Sequence, residues 1–184
     1  MTTALNIVPN LDALSGLVDC RPHADHPGWF LWEPVRRGLF TEVLGPLMVR
    51  SEGPKRARVR LLSPQASHLN MADVLHGGML LTFADMALFC GSFFGGLGER
   101  ALGGQTVQLD VHFLSAARVE TTLDALVELV HETGSMAFLR AQLDQAGESR
   151  ATISALMRKA PSSRGDAHSA PPLSVGSDGC HKKN

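Results

Sequence analysis

The residues whose types and spacing carry the clearest chemistry are Asn70, the run His76-Gly77-Gly78, and Asp85. A histidine and two glycines open an apolar segment, Met79 to Phe94, in which Asp85 is the single charged residue. A carboxylate inside a greasy helix is costly unless it is paired or put to use. At the first turn of a helix, the amide N–H groups of Gly77 and Gly78 are left unpaired by helix geometry. They carry the positive end of the macrodipole and have no side chains to block approach. Such a terminus can hold a carbonyl oxygen as it becomes negative. Asp85 can then attack the carbonyl or deprotonate a water.

Spacing limits how these parts combine. Gly77 and Asp85 are eight residues apart, about 12 Å along a helix. One reacting carbonyl needs donor and attacking group both within ~3 Å of its atoms. One helix does not easily supply both, whereas two antiparallel copies do, with Gly77 of one chain facing Asp85 of the other. A site using both residues is therefore expected at a dimer interface.

The elements that must position these residues follow from changes of hydrophobic period. Leu39 to Arg50 and Lys55 to Leu62 read as strands joined by the turn Ser51-Glu52-Gly53-Pro54. Ser63 to Leu75 reads as loop, and His76 to Phe94 as the one long helix, ended by Gly95-Gly96. Thr106 to Leu114 alternates, with Val107, Leu109, Val111 and Phe113 on one face and Thr106, Gln108, Asp110 and His112 on the other. Thr121 to Val130, Ser135 to Asp144 and Glu148 to Arg158 complete the set, joined by short hairpin turns. A helix apolar nearly all round must be covered on nearly all sides. The expected fold is α+β: about six antiparallel strands curled around one central helix. Its open edges favour edge-to-edge dimers.

Residues 1–27 read as a flexible leader, with a short helix near Leu11 to Val18. Residues 28–160 read as the folded domain, on whose core the aromatic run Trp29 to Trp32 docks. Residues 161–184, rich in Ser, Gly, Pro and His, read as a disordered tail. Apolar content of 44%, charged content of 19% and a net charge of −1 give no general attraction to nucleic acid or to an anionic membrane. Cys20, Cys90 and Cys180 are too few and too scattered for a disulfide framework. The first ten residues lack the basic start and apolar run of a signal peptide. A cytoplasmic protein is expected.

Asn-x5-His-Gly-Gly-x6-Asp, followed by the strand Gly104-Gln105-Thr106-Val107, resembles the hotdog-fold acyl-CoA thioesterases of the PaaI type over about residues 38–160. The resemblance implies a six-stranded sheet wrapped on a central helix, and dimers that often pair into tetramers. It implies acyl- or aryl-coenzyme A thioesters as substrates, cleaved to free acid and coenzyme A without a metal or other cofactor. By position it makes Asp85 the catalytic carboxylate, as nucleophile or base, and Gly77 the amide that polarises the thioester carbonyl. Asn70 would help hold the carbonyl or the water, His76 would support the turn, and Thr106 would stand near the attacking water. Gly78, Thr82 and Phe89 are candidate substrate contacts, and Ser92 shares the helical face of Asp85. The family strand usually ends Phe-Leu-Arg-Pro; here it ends Phe113-Leu114-Ser115-Ala116, so the resemblance assigns no grip on the coenzyme's phosphates.

Blander readings stand beside these. Asp85 can be a structural carboxylate. Arg56, Arg58 and Arg60 can meet phosphates, but a charge run on a strand is more often a solvated face. Cys20-x2-His23-x2-His26 has metal-like spacing without a fourth ligand and is read as chance. Two other functions share the fold: a hydratase or dehydratase of acyl thioesters, and an acyl-CoA binding module without catalysis.

Overall fold

A computed structural model describes residues 10–161, apart from Ser15 and Ser63. The tail expected over 161–184 lies outside the described residues from position 162 onward, as do residues 1–9 of the expected leader. Eight strands form one sheet in which every neighbour is antiparallel. They are β1 (Val18–Pro22), β2 (Phe30–Pro34), β3 (Leu47–Ser51), β4 (Arg56–Leu61), β5 (Gln105–Phe113), β6 (Leu123–Glu132), β7 (Met136–Gln145) and β8 (Glu148–Arg158). Their order across the sheet is β1-β2-β3-β4-β6-β7-β8-β5. The single long helix, α1 (Gly77–Ser92), lies against the concave face and contacts β3 through β7.

The inner face follows from period-two burial. Leu123, Ala125, Val127 and Leu129 of β6, Ala137 to Leu143 of β7, and Ala151 to Met157 of β8 alternate inward. Their many alanines leave room for Phe83, Leu88 and Phe93, all at most 1% exposed. Each such side chain contributes about 1.5–3 kcal/mol on burial. Gly91 lets α1 approach most closely, since a Cβ there would stand 2.6 Å from the Cβ of Val127. The helical stretch Gly77–Ala101 has the length and composition of a membrane span, but 67% of its most apolar window is buried inside this fold.

The expected sheet around one helix is present, with eight strands rather than six. The two extra strands come from the segment read as leader and aromatic run. β1 pairs with β2, and β2 with β3. Val18 and Cys20 pack on the core, Trp32 is buried against Phe93, and the guanidiniums of Arg50 and Arg60 cover Trp29 at 4.6 and 4.7 Å. The strand expected over Leu39 to Arg50 shrinks to β3. Phe40–Leu44 is a 3-10 turn, and Gly45 at φ 66° with Pro46 behind it resets the chain before the strand starts. The helix does not stop at Phe94; it loosens into a π-turn, Phe93–Leu97, that ends beyond Gly96 at φ 113°.

The clean alternation expected for β5 is broken. Thr106 pairs with Met157 and Gln108 with Leu156, so Val107 is an extra residue, a β-bulge. Residues paired across strands share a face, and Met157 faces the core. Thr106 therefore points inward with Leu109, Val111 and Phe113, not outward with Gln108 and Asp110.

Candidate active site

His76 caps α1. Its backbone is extended (φ −63°, ψ 136°), its carbonyl accepts from Leu80, and its Nδ1 accepts the Gly78 N–H at 2.9 Å. The first turn thus spends the Gly78 amide on its own cap, although the sequence offered both glycine amides to a ligand. The Gly77 N–H has no acceptor among the described residues. A Cβ at Gly77 would meet the Phe113 ring at 3.4 Å, and one at Gly78 would meet the His76 ring at 3.0 Å. A side chain at Gly78 would therefore crowd the His76 ring, whereas one at Gly77 would make only ordinary contact with Phe113.

The loop before the helix is held from several sides. The Asn70 side-chain oxygen accepts the N–H groups of Ala72 and Val74 at 2.8 and 3.4 Å, so Asn70 shapes the loop and keeps its Nδ2 as the donor to offer. His68, a residue the sequence reading passed over, is buried. Its Nδ1 accepts the Gln65 N–H at 3.0 Å, its Nε2 bonds the Val43 carbonyl at 2.7 Å, and its own carbonyl accepts from His76. Nothing distinguished this loop histidine by pattern.

Asp85 is half-buried on the face of α1 that its own sheet leaves open, along with Leu81, Thr82, Met86 and Phe89. Thr106 reaches across from β5 and donates its hydroxyl to Asp85 Oδ1 at 2.5 Å. This is the charge-assisted contact that holds a carboxylate in one orientation. Thr82 donates back to the Gly78 carbonyl at 2.9 Å, leaving its lone pairs and methyl group to the open face. Ser92 does not line this face: it is 1% exposed and donates back to the Phe89 carbonyl.

One chain does not bring all these groups together. Gly77 opens into a cavity of about 310 Å³ lined by Leu75, Leu80, Phe113, Ser115 and Ala117, and Asp85 is not on its wall. A hollow of about 270 Å³ on the outer face of the sheet, beside Asp110 and Arg140, contains none of the candidate residues. The arginine run on β4 is also elsewhere. Arg58 is paired with Glu52 at 2.9 Å, and Arg60 binds Asp124 at 2.6 Å while stacking on Trp29. This is the solvated, ion-paired face. Cys20 faces the core, where burial pushes its thiol up to about 11, while His23 and His26 pack ring to ring in the loop beyond.

The model of the Thioesterase superfamily matches residues 72–158, from the loop before the helix to the end of β8. The matched segment is 87 of the chain's 184 residues. The fold is that of solved hotdog proteins. A mutant of the phenylacetic acid degradation protein PaaI from Thermus thermophilus is 22% identical, with a TM-score of 0.55 over 66% of this chain and 98% of that one. Zebrafish thioesterase superfamily member 2 is 21% identical, with a TM-score of 0.57 over 66% and 86%. A hypothetical thioesterase protein from Streptococcus pneumoniae, solved with coenzyme A, is 20% identical, with a TM-score of 0.53 over 62% and 89%. Comparison with curated proteins found no match. The matched segment begins inside the Asn70 loop, so the strands β1 to β4 all lie before it.

Proposed function

We propose that this protein hydrolyses acyl- or aryl-coenzyme A thioesters to the free acid and coenzyme A, in the cytoplasm and without a metal or other cofactor. The observation that carries the reading is the Thr106–Asp85 bond of 2.5 Å on the open face of α1, about 12 Å along the same helix from the free Gly77 amide. Each chain holds two half-sites that it does not itself join. A homodimer pairing the β5 edges sets Gly77 of one protomer against Asp85 of the other, and two such dimers make a tetramer. Exposed Val107, Phe113 and Leu114, at 51–56%, lie on or just beyond that edge strand, as an unpaired edge destined for a partner requires.

In this reading the Gly77 N–H polarises the thioester carbonyl, with the Asn70 amide as a second donor. Asp85 takes a proton from water as the water oxygen adds to the carbonyl carbon; alternatively, it attacks the carbon itself and water opens the resulting anhydride. The C–S bond breaks, and the coenzyme thiolate leaves and takes up the proton. Leu81, Met86 and Phe89 offer the acyl group an apolar wall. A hydratase would need an acid and a histidine converging on adjacent carbons. Here His76 Nδ1 is engaged by Gly78, and Asp85 is more than two helical turns away.

The test is steady-state hydrolysis of a panel of acyl- and aryl-CoA esters by wild type and Asp85→Ala. The wild type is expected to release thiol from at least one ester, and the variant to lose at least about 100-fold in kcat. Full turnover in the variant would overturn the mechanism. Tight binding with no thiol released by the wild type would make the protein a binding module.

A further inference from the structure

The geometry points to Arg150 as the anchor for the phosphate groups of the substrate's coenzyme moiety, a role that rests on the thioester reading above. The regular pairing of β7 with β8 steps from Leu143↔Ala151 to Asp144↔Ser149, so Arg150 is an extra residue in β8. A bulge releases a side chain from strict alternation and re-aims it, and bulges recur beside active sites. Here the guanidinium turns to the end of β5. Its Nη1 donates to Ser115 Oγ at 3.0 Å, and Ser115 lines the cavity into which Gly77 opens. The Arg150 backbone carbonyl accepts the N–H groups of Leu114 and Ser115, which fixes the two strand ends together.

The polar accounting at this point is incomplete. The Arg150 side chain is only 15% exposed, and its Nε is buried without a hydrogen-bond partner among the described residues, as is Ser149 Oγ beside it. The carboxylate that meets it is Glu148, at 3.0 Å from Nη2 and itself 72% exposed. The other acceptor of Nη2 is the Gln145 carbonyl, at 3.4 Å. A largely buried guanidinium held by neutral acceptors and one loose surface carboxylate is poised to exchange that carboxylate for a stronger anion. Phosphate accepts paired N–H bonds from a guanidinium with good geometry. Of the three arginines that the sequence offered for this task, Arg58 and Arg60 are consumed by Glu52 and Asp124, and Arg56 stands exposed on the same strand, β4, away from the residues that line the Gly77 cavity. Ser115 stands where the family pattern has a basic residue, and Arg150 brings a guanidinium to the same place from the neighbouring strand.

The test is calorimetric titration of free coenzyme A and of pantetheine, which lacks the phosphates, into wild type, Arg150→Gln, Arg150→Lys and Glu148→Gln. Loss of charge-assisted bonds to phosphate is expected to weaken coenzyme A binding by roughly 10- to 100-fold in Arg150→Gln, with pantetheine unchanged and Arg150→Lys intermediate. Glu148→Gln is expected to tighten coenzyme A binding several-fold, because the competing carboxylate is gone. A purely structural Arg150 would not produce that gain. Should Arg150→Gln fail to fold, Arg150→Lys and Glu148→Gln carry the test. Coenzyme A affinity unchanged by every variant, or equal losses for coenzyme A and pantetheine, would overturn the assignment. Binding is read without turnover, so a wild type that binds coenzyme A through Arg150 yet hydrolyses no ester would sink the proposed activity and leave this site standing.

Discussion

Replacing Gly91 by alanine sets two calculable effects against each other. Glycine to alanine in a helix interior gains about 1 kcal/mol of intrinsic propensity. Against this, the new Cβ would stand 2.6 Å from Val127 Cβ and 2.7 and 3.0 Å from its two methyl carbons, where carbon pairs prefer ~3.5–4.0 Å. Relief requires α1 to lift off β6 by about 1 Å, beyond the ordinary overpacking cost of ~1–3 kcal/mol. The clash wins, and the net loss is about 2 kcal/mol or somewhat more. For a chain of this size that lowers Tm by roughly 4–8 °C, measurable by calorimetry. The same lift disturbs the 2.5 Å Thr106–Asp85 contact one and a half turns earlier on the helix, and an ångström of misplacement can cost about 100-fold in rate. Activity should therefore fall by more than the folded fraction at the assay temperature. Val127→Ala is not expected to rescue the variant, because the tightest contact is with Cβ, which alanine keeps. A Gly91→Ala protein that melts at or above the wild-type temperature would refute the close seating of α1 on β6.

Thr106→Val keeps the β-branched shape and deletes the hydroxyl on Asp85. It is expected to lower kcat by about 10- to 100-fold through lost orientation of the carboxylate, while Thr106→Ser stays near wild type; equal turnover in all three would remove Thr106 from the site. Glu52 is raised by burial but held below the usual carboxylate range by its bonds from Arg58 and Arg50. A lowered folded-state value means that its contribution is present at neutral pH and fades as pH falls from about 4.5 through the folded value. Glu52→Gln should accordingly destabilise by roughly 0.5–1 kcal/mol at pH 7, a gap that closes in acid denaturation scans, and a gap that widened instead would contradict the pairing.

Periodicity made the helix and the strands β4 and β6 to β8 legible, because each buries one face and must alternate or wind accordingly, whereas β5 was legible as a strand but buries no residue fully. Periodicity did not reveal β1, whose five residues are too few to show a period and whose order comes from pairing with β2 and from Trp32 against Phe93. Bulges were equally invisible. The extra residues Val107 and Arg150 are defined only by their partners across the sheet, so sequence alternation placed Thr106 on the wrong face of β5. The chemistry-bearing types were readable where a turn or helix forces them into a pattern, as with His76-Gly77-Gly78 and Asp85. His68 carries no such pattern, since its environment is assembled from separate segments around Val43, Gln65 and His76.

The separation of Gly77 from Asp85 can be tested without a structure of the assembled protein. Gly77 is the first residue of α1, where proline is tolerated because no intrahelical bond uses its N–H. His76 before it is already extended at φ −63° and ψ 136°, the conformation that a following proline demands. Gly77→Pro therefore removes one amide donor while the cap and helix persist, with ordinary contact to Phe113 at 3.4 Å. Loss of an oxyanion donor costs on the order of 100- to 1000-fold in kcat, so Gly77→Pro and Asp85→Ala should each be nearly inactive and folded. If each site joins Gly77 of one protomer to Asp85 of the other, a mixed dimer holds one fully intact site and one doubly damaged site. Equal amounts of the two variants, unfolded together and refolded, form mixed dimers as half of all dimers, and activity should return to about a quarter of wild type. Sites built within single chains would leave every chain damaged and the mixture as inactive as its parents.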